Sequence, residues 1–493
     1  MRRLRLLTIL VGLGLATSLA QAQGKDHPGR DYILENGYQG PQTCETCHPG
    51  KAREFTTTVH WKHASKVDKI DGVKPGQEVG MKNRIYTMCN GNDIVNQLKE
   101  TPPNAQGKTK FTGCNTCHPG SSSNDVGSTG PKAEAAIDCL LCHSTKYDFR
   151  KRTLTKQADG SIAIGQDRST EAAANLGRPS NKTCMSCHES AGGGVMVKRG
   201  FAMNADNDVH AAKKMACIDC HVVKNHKFPT GFDPNNWAHD GERVSCSQCH
   251  TDKPHKDAEI DRHTAKIACQ TCHIPKTGGA IAKDFTKWEK LANGFWEPAT
   301  LTREVNETTP VYAWYNQSVA NRPDFIGPKG SRADGKITPF KVFQGKAYFN
   351  QKNGQLLAMD FAQPMATGDT LAGVASAAKT LGIKGYVPVP GWQTIYFASS
   401  HQVAPKAKSL SCSNCHAPNG ALNFKQLGYS DKEIARLTKP DLYFERALKH
   451  QPPAAGPTPA GAPPRAPDET RPPDAGARFS YQRARFFAVV AAS

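Results

Sequence analysis

Eight copies of the pattern Cys-x-x-Cys-His run through this 493-residue chain and take up sixteen of its seventeen cysteines. They stand at Cys44-Cys47-His48, Cys114-Cys117-His118, Cys139-Cys142-His143, Cys184-Cys187-His188, Cys217-Cys220-His221, Cys246-Cys249-His250, Cys269-Cys272-His273 and Cys412-Cys415-His416. Seven of the eight fall between residues 44 and 273, which leaves little room for long helices or strands in that half.

Two cysteines three apart followed directly by histidine suit covalent haem. The thiols form thioethers to the vinyl groups, and the adjoining imidazole supplies the proximal iron ligand. Structural zinc sites combine two Cys-x-x-Cys half-sites and do not require a histidine after each pair. Thioredoxin-type redox disulfides likewise give that histidine no task. The pattern therefore implies eight haems, with His48, His118, His143, His188, His221, His250, His273 and His416 as proximal ligands.

Ten histidines lie outside the motifs. His27 and His450 sit near the ends of the chain, and His60 and His63 are close enough to compete for one role. Seven distal ligands then remain: His60 (or His63), His210, His226, His239, His255, His263 and His401. Seven sixth ligands for eight irons leave one iron without a distal histidine. Bis-histidine iron is saturated and suits electron transfer, whereas chemistry on a small molecule needs a displaceable position. The count thus points to seven relay haems and one catalytic haem.

The expected fold is mainly α with much coil, packed around the eight covalent haems, since porphyrins must supply much of the apolar core. A mean hydropathy of −0.56 agrees with this. The haem-free insertion 274–411 is expected to cover one face of the haem array or shape the entrance to the active site. Within it, residues 346–361, with Asn353-Gly354 at the middle, read as a small β-hairpin. Residues 369–381, stopped by Gly382, read as a helix, and Ser430 with Glu433 reads as a capping box opening another helix that runs to about Thr438.

Residues 1–22 carry Arg2, Arg3 and Arg5, an apolar run and the small-x-small site Ala20-Gln21-Ala22, a secretory signal peptide. The mature chain, an octahaem domain over 23–450 followed by a Pro/Ala-rich disordered tail over 451–493, is expected in the periplasm or otherwise exported. The apolar run is too short for the ~20 residues of a membrane span. The net charge of +19 would ordinarily suggest nucleic acid. Eight haems add about −16 through their propionates, so most of the basic excess is balanced within the molecule and no nucleic-acid partner is expected.

The leftover Cys89 lies between the first two motifs, four residues before Asp93. It reads either as a buried free thiol acting as a small hydrophobe or as a thiol facing the catalytic haem, able to contact or attack a sulfur substrate. Several features together resemble the octahaem tetrathionate reductase family over roughly residues 40 to 420. They are the eight motifs, the lone cysteine before the second, Thr58-Val59-His60-Trp61, Gly192-Gly193-Gly194, and Cys269-Gln270-Thr271-Cys272-His273-Ile274-Pro275.

The resemblance implies that the haem on Cys114, Cys117 and His118 is catalytic, with Cys89 nearby and a lysine soon after the third motif as its replaceable ligand. Lys151 is favoured over Lys146, and Lys151 or Asp93 would supply protons. The chain departs from the pattern at Val197-Lys198-Arg199-Gly200, where a histidine is expected. The implied activity is reduction of small oxidised sulfur or nitrogen compounds, tetrathionate or else nitrite or hydroxylamine, with electrons from a cytochrome or quinol-linked donor. The alternatives are an oxidative enzyme of the hydroxylamine oxidoreductase type, which crosslinks a tyrosine to its catalytic haem, and a substrate-free electron wire. Octahaem nitrite reductases with Cys-x-x-Cys-Lys are disfavoured, because no motif here ends in lysine.

Overall fold

A computed structural model describes residues 27–66, 69–86, 99–100, 111–112, 117–159, 161–189, 203–229, 243–291 and 296–439. The segment expected as a signal peptide, residues 1–22, and the Pro/Ala-rich segment 451–493 lie outside these residues, as do Cys89, Asp93, Cys114 and His239.

In the motif-rich half the elements are short; the longest helix described before residue 274 is Asn181–His188, of eight residues. Among the described residues, the motifs seen in full curl into about one helical turn. The N–H of its histidine donates to the carbonyl of its first cysteine, at 2.8 Å for His48, 3.1 Å for His143, and 2.9 Å for His221, His250 and His416. Residues three and four apart on a turn share a face, so both thiols and the imidazole of one motif project to the same side. Ser180 opens the longest of these turns, accepting the N–H of Thr183 at 3.3 Å.

The second half is built differently. Its strands are β1 Ala280–Lys290, β2 Trp296–Glu304, β3 Val311–Tyr315, β4 Ser318–Arg322, β5 Phe325–Lys329, β6 Lys336–Asn350 and β7 Pro388–Ala398. They form one seven-stranded sheet in the order β4-β5-β7-β6-β1-β2, with β3 also paired to β6. The fifteen-residue β6 is its keel. One edge pairs antiparallel with β7, from Phe340↔Ala398 to Asn350↔Pro388. The other edge takes β3 antiparallel at Pro339↔Tyr312 and, further along, β1 parallel at Gln344↔Ala282.

This corrects the expectation of a mainly α chain with one small hairpin. Among the described residues the haem-free insertion is a mixed seven-stranded sheet. At the expected hairpin the chain does turn, with Gly354 at φ 68°, and Leu357 N–H donates to the Tyr348 carbonyl at 2.8 Å. The returning arm then leaves, because Met359 pairs with Tyr86 and the long partner of β6 is β7.

Helices α1 Ala362–Thr367 and α2 Thr370–Leu381 pack beside the sheet. Asp369 caps α2 by accepting the Ala372 N–H at 2.9 Å, and Gly382 ends it at φ 70°, as its sequence predicts. The main apolar core gathers Phe343, Ile395 and Phe397 from the sheet with Phe361, Met365 and Val374. Burying each such large side chain stabilises by about 1.5–3 kcal/mol.

The same core takes in Met81, Tyr86 and Val126 from the motif-rich half. Polar contacts seal the junction: Asp71 accepts from Asn350 at 2.7 Å and from Asn353 at 3.1 Å, and Arg84 pairs with Asp360 at 2.9 Å. The insertion therefore covers the segment that follows the first motif. It also meets the seventh motif, where Thr271 Oγ1 donates to the Ile337 carbonyl at 2.7 Å. Among the described residues no helix is long and apolar enough to cross a membrane.

Candidate functional site

Each motif histidine faces a second histidine from elsewhere in the chain. Ring centroids are 6.1 Å apart for His48 with His27, 5.9 Å for His188 with His60, and 6.3 Å for His143 with His226. They are 6.3 Å apart for His221 with His401 and for His250 with His210, 6.1 Å for His273 with His255, and 6.2 Å for His416 with His263. A metal–imidazole bond of about 2.0–2.1 Å on each side, plus the depth of each ring, separates two axial imidazoles by about 6.3 Å. Seven pairs fit an iron between them.

Hydrogen bonds at the far ring nitrogen support the same fit. Nδ1 faces a backbone carbonyl at His143 (Gly177, 3.1 Å), His221 (Pro229, 2.7 Å), His416 (Leu437, 2.9 Å) and His263 (Glu259, 2.8 Å). It faces a carboxylate at His226 (Glu54, 2.7 Å), His255 (Asp261, 2.9 Å) and His210 (Asp208, 3.3 Å). Each acceptor holds the proton on Nδ1, which leaves the Nε2 lone pair for a metal. At His27 the bond runs the other way, with Gly29 N–H donating to Nδ1 at 3.1 Å.

The pair at the second motif differs in spacing. His118 stands 5.0 Å from His63, too close for an iron between two axial rings. Gly120 N–H donates to His118 Nδ1 at 3.1 Å, so the neutral ring carries its proton on Nε2, which faces the Trp61 carbonyl at 3.1 Å. Burial, with His63 beside it, holds His118 well below the ordinary imidazole range. The ring is fully enclosed. Behind it, Arg152 donates to the His118 carbonyl and pairs with Asp138 at 2.5 Å, while the Tyr147 hydroxyl donates to the same carboxylate at 2.5 Å.

Lys151, expected as the replaceable ligand, has its ammonium against Asp167 at 2.6 Å, with the lysine side chain 47% and the aspartate 2% exposed. Lys146 takes its backbone N–H to Ser144 Oγ. Cys89, Asp93, Cys114 and His239 lie outside the described residues.

Thiols of different motifs also lie near one another. The thiols of Cys44 and Cys139 lie together, as do those of Cys117 and Cys187, Cys184 and Cys217, and Cys246 and Cys269. Cys142 lies near Cys184 and Cys187, Cys220 near Cys249, and Cys272 near Cys412 and Cys415. The series runs through the first, third, fourth, fifth, sixth, seventh and eighth motifs in turn. The second motif joins it at the fourth.

Sequence reasoning passed over His27 because it lies near the chain start, yet its ring stands against His48. The signal available was the order of the motifs, since the first has no other unclaimed histidine before it. His60 and His63 do not compete: His60 faces His188 and His63 faces His118.

The fold is that of a multihaem c-type cytochrome. A crystal structure described as an octaheme cytochrome c from Shewanella oneidensis superposes with a TM-score of 0.58 at 22% identity, covering 82% of this chain and 97% of that one. Residues 302–419, which include the eighth motif, match the family model described as bacterial cytochrome c. An uncharacterized protein of Archaeoglobus fulgidus is 28% identical over 234 residues, spanning 39% of this chain and 76% of its own length. Covalent haem c at the Cys-x-x-Cys-His motifs, and a role in electron transfer or redox catalysis, follow from the motifs, the ring spacings and these likenesses taken together.

Proposed function

We propose that the chain is an exported octahaem cytochrome that reduces small oxidised sulfur or nitrogen compounds, tetrathionate foremost. In this reading seven haems relay electrons and the one tethered by Cys114, Cys117 and His118 meets the substrate. The observation that carries it is the contrast at the histidine pairs. Seven are spaced for two axial ligands, and the His118–His63 pair is not. The branching of the second motif from an otherwise continuous series supports the same division of labour.

When bound, each haem supplies a one-electron iron couple whose potential the surrounding protein sets. The chain's residues do the rest. The motif thioethers fix each porphyrin, the histidine pairs saturate the relay sites, and Arg152 with Asp138 holds the backbone at His118. In this reading Lys151 leaves Asp167 to act as the replaceable ligand and proton donor, and Cys89 and Asp93 stand near the substrate.

A second reading has a specific observation behind it. His63 is buried beside His118 and Lys151 is already bound by Asp167, so a small ring movement would make the second-motif site bis-histidine as well. The protein would then be an electron wire without a substrate. Electron paramagnetic resonance and spectroelectrochemistry of the haem-loaded protein, with tetrathionate, nitrite or hydroxylamine added, separate the two. The enzyme reading expects one high-spin or lysine-ligated haem and oxidant-driven turnover. Eight low-spin bis-histidine signals with no turnover would overturn it. Unchanged rates and spectrum in Lys151→Ala would remove the lysine from the scheme.

A further inference from the structure

The acceptor behind the axial histidines is not the same at every site. At the eighth pair both rings are backed by neutral groups: His416 by the Leu437 carbonyl at 2.9 Å and His263 by the Glu259 carbonyl at 2.8 Å. At the third and seventh pairs the second histidine is backed by a carboxylate. His226 faces Glu54 Oε1 at 2.7 Å, and His255 faces Asp261 Oδ1 at 2.9 Å.

We propose that Glu54 and Asp261 are potential-setting residues, holding the haems bound between His143 and His226 and between His273 and His255 at lower reduction potentials than the haem between His416 and His263. The inference rests on the bis-histidine ligation set out above.

A carboxylate acceptor draws the Nδ1 proton toward itself and gives the ring imidazolate character. The ring becomes a stronger donor, and a stronger donor favours ferric over ferrous iron. A peptide carbonyl carries no net charge and does this less. Both carboxylates are fixed for the task. Glu54 offers Oε1 to His226 while Oε2 is taken by Lys51 at 2.7 Å, across a sequence separation of 172 residues from His226. Asp261 sits on helix Ala258–His263, accepts the His255 backbone N–H at 3.0 Å with the same oxygen, and has a side chain only 11% exposed.

Asp208 stands 3.3 Å from His210 Nδ1 and shares that oxygen with the His210 backbone N–H at 2.8 Å. The longer bond makes it a weaker case of the same kind. The relay then has two sites that are reduced after the eighth: the third, between the first and fourth motifs, and the seventh, between the sixth and eighth.

The test is a redox titration of the full haem-loaded protein, followed by electron paramagnetic resonance so that individual haems are resolved. Haem number and bis-histidine ligation are read first in the unaltered protein, and failure there counts against the proposed function itself. Glu54→Gln and Asp261→Asn are each expected to move one midpoint to a more positive potential with low-spin ligation retained. Glu54→Asp, which keeps the carboxylate, should return toward the original value. Glu259→Gln removes an equal charge beside His263, whose Nδ1 bonds only the backbone of residue 259, and should move the eighth midpoint far less. Unmoved midpoints in both carboxamide variants, an equal shift in Glu259→Gln, or loss of ligation in both variants would overturn the inference.

Discussion

Gly120 lies against the His118 ring so closely that a Cβ there would stand 2.6 Å from Cε1 and 2.8 Å from Nδ1. The absence of a side chain at residue 120 lets its N–H reach the ring and fixes which way the imidazole points. Gly120→Ala should therefore turn His118 and alter one haem signal while leaving the others as they were. Overpacking of this kind costs about 1–3 kcal/mol. Electron paramagnetic resonance reads the first effect and chemical denaturation the second.

His27→Ala tests the pair that sequence alone did not suggest. With the ring 6.1 Å from His48 removed, the first haem should become five-coordinate and high-spin, with no change at the other sites. Resonance Raman spectroscopy of the variant against the parent would show it. An unaltered low-spin population would mean that His27 is not a ligand.

Arg152 and Asp138 form a buried ion pair, with side chains 0% and 3% exposed. Burial already raises the Asp138 carboxyl, against the pull of Arg152 and Tyr147. Arg152→Ala leaves that carboxylate enclosed without its cation, which costs about 3–5 kcal/mol. It also frees the His118 carbonyl. Urea unfolding of the haem-loaded variant should show the loss, and Arg152→Ala with Asp138→Asn should recover part of it.

Asp167 gives the acid side of stability a direction. Burial raises its carboxyl, but the hydrogen bonds from Lys151, the Asp148 N–H and Ser169 outweigh this and hold it at about 2. The ordinary value is about 3.9. The folded value is depressed, so the stabilisation is complete above the ordinary value and fades as the pH falls through about 2. Lys151→Met weakens the hold, and its acid-unfolding midpoint should move to higher pH, followed by circular dichroism.

Much of the haem-binding half was legible because its determinants are local. Cys44 and His48 lie on one turn whatever surrounds them, so the motif alone gives the geometry. The second axial ligand is not local. His226 serves His143 and His401 serves His221 only once the chain has folded, and elimination by position discarded His27 for the same reason. The sheet was missed for another cause. Val311–Tyr315 and Lys336–Asn350 carry the aromatic and β-branched residues of strands, but β6 finds three partners that are distant in sequence, whereas a hairpin reading looks only next door. The cap at Asp369 and the stop at Gly382 were readable because a helix end is written in its own residues.

The single-turn attachment sites have a consequence for how the molecule is made. Five residues complete a tether, so cofactor can be fastened to a chain that has no tertiary structure. Closing the sixth position at His188 waits for His60, and at His221 for His401, which is work only the folded backbone can do. Maturation and folding thus have a fixed order, and the iron itself reports, through its spin state, when the second has finished.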